Sequence, residues 1–188
     1  PFRANGVARK MDKRFPIEDQ ILMLASALKG RVVVPNDADY DAQRALLHGN
    51  FDFHPHAVIR VASAADVASV INFATATDLP LSVRGGGHSG HGATDGGLTI
   101  DLRELNGIDI DAEARTVWAG GGLTTGEVTR AVEQHGLIVG FGDTASVGIG
   151  GLTTGGGIGY MVRKHGLTID SLLAVEIVTA GGDVLIAD

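Results

Sequence analysis

Ser82-Val83-Arg84-Gly85-Gly86-Gly87-His88-Ser89-Gly90 decides how this chain is read. Leu79-Pro80-Leu81-Ser82-Val83 reads as a strand, and it runs into three consecutive glycines followed by a histidine. The glycines match the G-x-G-x-x-G spacing of a dinucleotide-binding turn. Such a turn must open a helix whose N-terminus receives a pyrophosphate, yet His91 to Gly97 is again glycine-rich and leads into a strand. The Gly-Lys-Ser/Thr ending of a phosphate loop is missing too. Two readings remain: a nest of backbone N–H groups beside Arg84, suited to a phosphate-bearing ligand, or a structural glycine turn. His88 has three, as a plain loop residue, a metal ligand or a nucleophile. The pairs His88/His91 and His54/His56 lie far apart and lack acidic or cysteine partners at ligand spacing, so no metal is expected.

Working outward, 22 of the 28 glycines fall between Gly85 and Gly159, which places the demand for close backbone approach or positive φ in one region. A second cluster runs from Gly148 to Tyr160 (GIGGLTTGGGIGY). Small residues at Gly148, Gly151, Gly155, Gly156 and Gly159 would let a flat ring system lie against the backbone, with Thr154 and its neighbour Thr153 offering hydroxyls. A glycine-rich packed helix or loop explains the same pattern.

The flanking periodicities predict a mixed α+β chain. Ile17, Ile21, Leu24, Ala25 and Leu28 recur at helical spacing and Gly30 follows as a stop, so a helix is expected over 17–29. Strands are expected at Arg31–Val34, Ala57–Val61 and Leu79–Val83. Ser63-Ala64-Ala65-Asp66 resembles a capping box and opens a helix between the last two, a strand, helix, strand unit that implies parallel pairing. Leu98–Leu102 then reads as a strand, Ile108–Ile110 with Thr116–Ala119 as a hairpin, Thr125–His135 as a helix with Thr124 or Thr125 as N-cap and Gly136 as C-cap, and Val175–Thr179 with Asp183–Ile186 as a tight hairpin around Gly181-Gly182. The expected organisation is a helical lead-in over 1–29, a small parallel α/β lobe over 30–105, and a larger lobe with antiparallel strands and helices over 106–188, with the glycine clusters at the junction.

Composition narrows the function classes. Fifteen Lys and Arg against 22 Asp and Glu give a net charge of −7, the wrong sign for gripping a phosphate backbone, so no nucleic-acid partner is expected. No apolar run reaches the length of a bilayer span, so no membrane partner is expected and the protein is expected to be soluble. Pro1-Phe2-Arg3 opens no apolar leader, which sets a cytoplasmic expectation, although Pro in place of Met suggests that residues precede it. Zero cysteines excludes disulfides, thiolate metal sites and any cysteinyl cofactor bond.

Taken together, Ser82 to Ser89, Gly148 to Tyr160 and Arg163-Lys164-His165-Gly166-Leu167-Thr168-Ile169-Asp170-Ser171-Leu172 resemble, in order and spacing, the FAD-binding (PCMH-type) domain of the vanillyl-alcohol-oxidase-like superfamily, in its berberine-bridge-enzyme and hydroxynicotine-oxidase branch. The resemblance covers residues 30–188 and implies a two-lobed FAD-binding fold in an oxidoreductase acting on a small-molecule substrate. It implies that His88 bonds covalently to the 8α carbon of FAD. It also implies that the backbone of Arg84, Gly85, Gly86, Gly87, His88 and Ser89 cradles the pyrophosphate, that residues from Thr144 to Gly159 line the flavin, and that Ile177 and Val178 touch it. Where many relatives carry a second link through Cys in a Cys-Pro-x-Val-Gly segment, this chain has Thr144-Ala145-Ser146-Val147-Gly148, so a single link is expected. The resemblance further implies a fragment, since relatives continue past the position of Asp188 into a substrate domain and a completing C-terminal segment. No catalytic base is assigned, and the oligomeric state stays open.

Overall fold

The computed structural model describes residues 15–188. The first fourteen residues of the expected helical lead-in lie outside the described residues. Helix α1 (Ile17–Ala25) is followed by β1 (Arg31–Val33), the short helix α2 (Tyr40–Arg44), β2 (Ala57–Arg60), α3 (Ala64–Thr77), β3 (Leu81–Arg84) and β4 (Leu98–Asp101). After these come a hairpin of β5 (Ile108–Asp111) and β6 (Thr116–Ala119), helices α4 (Thr125–Glu133), α5 (Ile149–Thr154) and α6 (Val162–His165), and a closing hairpin of β7 (Val175–Val178) and β8 (Val184–Ala187).

The first four strands form one sheet in the order β1-β2-β4-β3. This corrects the expected strand, helix, strand unit: β2 and β3 are both parallel, but to β4, which lies between them. The burial explains the order. Leu98, Thr99, Ile100 and Asp101 are all fully enclosed, as an interior parallel strand must be, whereas Leu81 and Val83 of β3 stay exposed at the sheet's edge. Strand β1 closes the other edge antiparallel to β2. One face of the sheet, with Ala57, Ile59, Leu98 and Ile100, packs on α1 and α3 through Ile21, Val70, Phe73 and Ala74. The opposite face sets Val58 against Val33 and Tyr40, then turns polar where Ser82 meets Thr99 at 3.0 Å and Arg84 meets Asp101.

A second core gathers Leu123, Val128, Val132 and Ile149, with Ile110, Val117 and Phe141 around them. Helix α4 begins at Thr124, whose hydroxyl accepts from the Glu127 N–H while the Glu127 carboxylate accepts from the Thr124 N–H at 2.8 Å, and Gly136 follows it at φ +68°. The antiparallel strands that follow β4 make two separate hairpins, and β7 and β8 rest on α3 of the first core. No helix among the described residues is long and apolar enough to cross a membrane.

Asp66 shows why the expected end of α1 moved. Ser63 caps α3 by accepting from the Asp66 N–H, but the Asp66 carboxylate does not close the box on the Ser63 N–H. It accepts instead from the N–H groups of Ala62, Lys29 and Gly30, at 2.9, 3.1 and 3.0 Å. Capturing the last two draws the chain off the helical path, and α1 stops at Ala25 rather than continuing to residue 29. Burial pushes this carboxyl up, and the three backbone donors outweigh that and hold it below the ordinary carboxylate range. Asp66→Ala should therefore lose about 3 kcal/mol in urea unfolding, because three backbone N–H groups lose a charged acceptor that is itself enclosed. Asp66→Glu, one methylene longer, should recover only part of it.

Candidate functional site

Strands β3 and β4 end side by side, with Arg84 paired in register to Asp101. The Arg84 guanidinium is 3% exposed and donates from Nη2 to Asp101 Oδ2 at 2.6 Å and from Nη1 to the Ala45 carbonyl at 3.2 Å. Arg103 grips the same carboxylate through its backbone N–H, its Nε and its Nη2. Burial pushes the Asp101 carboxyl up, but the hydrogen bonds from Arg103 and the charge of Arg84 prevail and hold it below the ordinary carboxylate range. The Arg84 guanidinium is thus committed inward, while its aliphatic stem packs beneath Gly87 and Gly92 of the loop that follows.

That loop turns at Gly87, φ +73°, a conformation that suits glycine. Residues 45–51 brace it from behind. The Leu47 N–H donates to the Gly87 carbonyl at 3.0 Å, and the Phe51 ring presses so close to Gly90 that a Cβ there would come within 2.7 Å of it. The N–H groups of Gly85, Gly86, Gly87, His88 and Ser89 donate to no protein acceptor among the described residues. Five adjacent free amides make the anion nest that the glycine spacing allows.

The two glycine clusters meet. A Cβ on Gly86 would lie 2.3 Å from the Gly148 nitrogen and 2.9 Å from the Ser146 carbonyl oxygen, and one on Gly148 would lie 2.3 Å from the Gly86 nitrogen. Gly150 packs likewise on the Gly121 carbonyl, where a Cβ would come within 3.0 Å. Two backbones therefore touch along a seam between the first sheet and the second core, and across it His88 Nε2 lies 3.0 Å from Ser146 Oγ.

The remaining site residues fall into distinct settings. Gly151 faces open space, with nothing within 4 Å of a built Cβ, so the backbone there is approachable by a flat group. Thr154 spends its hydroxyl proton on the Gly150 carbonyl at 2.9 Å, leaving only acceptor capacity. Gly155 continues the helix by donating to the Gly151 carbonyl, Gly156 turns at φ +99°, and Gly159 is needed because a Cβ would strike the Phe141 carbonyl oxygen. Much of the second cluster's glycine content thus serves packing of the chain on itself. The Thr144 carbonyl accepts from Thr125 Oγ1 at 2.8 Å, while its own hydroxyl turns to Asp143. Ile177 and Val178 lie on β7, in the hairpin against α3, and are not among the residues that join the two clusters.

Sequence reasoning missed Ser146 as a partner of His88, and Leu47 and Phe51 as supports. Ser146 stands in the quoted stretch Thr144 to Gly148, but nothing local distinguishes its hydroxyl from that of Thr144. A separate groove of about 410 Å³, lined by Val117, Val132, Leu137 and Ile138 among others, opens on the second core and includes none of these residues.

Two tests follow from this geometry. Gly148→Ala should cost more than about 2 kcal/mol in chemical unfolding because backbone must shift to admit a methyl group, whereas Gly151→Ala, in a helix and in open space, should gain up to about 1 kcal/mol. Asp101→Asn should lose about 3 kcal/mol at neutral pH by leaving Arg84 buried without its counter-charge. Because the folded carboxyl titrates below its unfolded value, that deficit should be full above about pH 4 and should narrow as the wild-type carboxylate protonates at lower pH. A deficit independent of pH down to the acid limit would refute the charge assignment.

The described residues fit a flavin dinucleotide: free amides for a pyrophosphate, an open backbone face at Gly151 for a ring, and an imidazole at the seam between them. The comparisons agree. The sequence pattern of the FAD binding domain matches residues 55–188. (R)-6-hydroxynicotine oxidase of Paenarthrobacter nicotinovorans is 36% identical over 161 residues, 85% of this chain and 35% of its own length. The structure of a berberine-bridge-enzyme-like protein of Physcomitrella patens superposes with a TM-score of 0.84 at 28% identity, covering 89% of this chain and 37% of its own. Glucooligosaccharide oxidase of Acremonium strictum, which carries a 6-S-cysteinyl, 8α-N1-histidyl FAD, superposes with a TM-score of 0.82 at 26% identity over 89% of this chain and 36% of its own. The chain thus spans little more than a third of the length of these relatives. Free amides, meeting glycine clusters and overall architecture converge on one assignment: the chain belongs to the FAD-binding domain family, in its berberine-bridge-enzyme and hydroxynicotine-oxidase branch.

Proposed function

We propose that this chain is the FAD-binding part of a flavin-dependent oxidoreductase that oxidises a small molecule, and that His88 alone tethers the cofactor covalently. The observation that carries the proposal is the position of His88: it follows directly on the free amides of Gly85 to Gly87 and reaches across the seam to the second glycine cluster. A pyrophosphate held by those amides places the imidazole beside the cofactor it would bind.

When bound, FAD supplies the electron chemistry, accepting hydride at N5 from a substrate C–H bond and passing the electrons to oxygen or another acceptor. The residues of this chain do the rest. The nest neutralises phosphate charge with backbone dipoles, which suits a chain with a net charge of −7 and an Arg84 guanidinium turned inward. Gly148 and Gly86 keep the two cores in contact, and Gly151 leaves backbone open to the ring. His88 fixes the cofactor rather than moving a proton of the substrate. With Thr144 where doubly linked relatives carry cysteine, and no cysteine among these 188 residues, this chain offers no second link.

Intact mass of the denatured full-length protein, purified with FAD available, tests this. The wild type should carry the mass of one flavin and His88→Ala should carry none while still binding FAD without a covalent bond. An unmodified wild type would exclude the tether and leave a non-covalent flavoprotein of the same fold.

A further inference from the structure

We propose that Ser146 is a positioning residue for His88, holding its imidazole by Nε2 so that Nδ1 is the nitrogen presented to the cofactor. This rests on the covalent tether proposed above. Ser146 and His88 are 58 residues apart in the chain and come from the two glycine clusters, yet their side chains meet at 3.0 Å. The meeting is not left to chance by the backbone. Gly86, two residues before His88, and Gly148, two residues after Ser146, are in van der Waals contact through main-chain atoms, which fixes how far apart the two side chains start.

A nucleophilic imidazole must be neutral, with one nitrogen protonated and the other carrying the lone pair. The hydrogen bond a ring makes at one nitrogen selects which is which. Here Nε2 faces a hydroxyl oxygen, and among the described residues Nδ1 has no hydrogen-bond partner. The hydroxyl can accept from Nε2–H or donate to a bare Nε2, and it is the first arrangement that leaves the lone pair on Nδ1.

A bond forms between Nδ1 and the 8α carbon, and one C–H bond at that carbon breaks. The methyl hydrogen and the imidazole N–H hydrogen leave as two protons and two electrons, and dioxygen takes them up as hydrogen peroxide. Positive charge grows on the imidazole as Nδ1 bonds, which strengthens donation from Nε2–H to Ser146 before that proton departs. A hydroxyl at position 146 can therefore accept from Nε2–H both before and during bond formation.

The test uses the full-length protein prepared without flavin and then supplied with FAD in air. Covalent incorporation is followed by mass of denatured samples, and the substituted nitrogen is identified by NMR of the flavin-bearing peptide. Ser146→Thr, which keeps a hydroxyl, should incorporate FAD near the wild-type rate and through Nδ1. Ser146→Val, nearly the same shape without the hydroxyl, should bind FAD non-covalently as well as wild type but attach it about tenfold more slowly, the size of one net hydrogen bond, with some product at Nε2. Equal rates for the Thr and Val variants, fast or slow, would overturn the role of Ser146 while leaving the tether intact. A wild type that never acquires flavin mass would overturn the tether and this inference with it.

Discussion

The pairing of Arg84 with Asp101 is the constraint from which the rest of the site follows. Both side chains are enclosed, and both stand at the last position of adjacent parallel strands. A buried ion pair adds little net stability compared with apolar packing, but losing one partner leaves an uncompensated charge in a poorly polarisable interior. Its effect here is positional. With Arg103 and the Ala45 carbonyl completing the network, the ends of β3 and β4 are held at one height, and the glycine loop departs from a fixed point. The bracing segment at residues 45–51 is tied to the same network through Ala45 and then to the loop itself through Leu47.

From that point, the absence of side chains does the shaping. Gly86 and Gly148 let two backbones come together where any larger residue would hold them apart, and Gly150 does the same against the Gly121 carbonyl. The glycine backbone left free for a ligand is narrower than the cluster suggests, being clearest in the free amides of the loop and at Gly151. Two demands, close packing and an exposed peptide face, converge on one residue type, and composition by itself does not separate them.

Elements with a local cause were legible in the sequence. The N-cap at Thr124, the C-terminal stop at Gly136 and the Gly181-Gly182 hairpin are written within a few residues of where they act, whereas the part Glu127 plays in that cap emerged only from the structure. What failed was long-range. Nothing near Leu98 announces that it will slip between β2 and β3, because strand order depends on which strand can be enclosed on both faces. Asp66 looked like a capping residue since its partners in sequence are near, yet two of its three backbone donors arrive from residues 29 and 30. The glycine loop and His88 were found from their pattern, whereas Ser146 and Phe51 carry no pattern and gain meaning only from what folds against them.

The hydrogen bond between His88 and Ser146 spans the seam between two separately packed cores. Each core is stiff because its side chains interlock, whereas where the glycine clusters meet the seam is joined by backbone contact and, among the described residues, by this one side-chain hydrogen bond. Sliding one core past the other by about an ångström would break the bond while leaving both interiors intact, since a separation near 4 Å no longer supports it. The imidazole therefore works as a vernier: it registers the relative setting of two rigid bodies at far finer resolution than either body deforms.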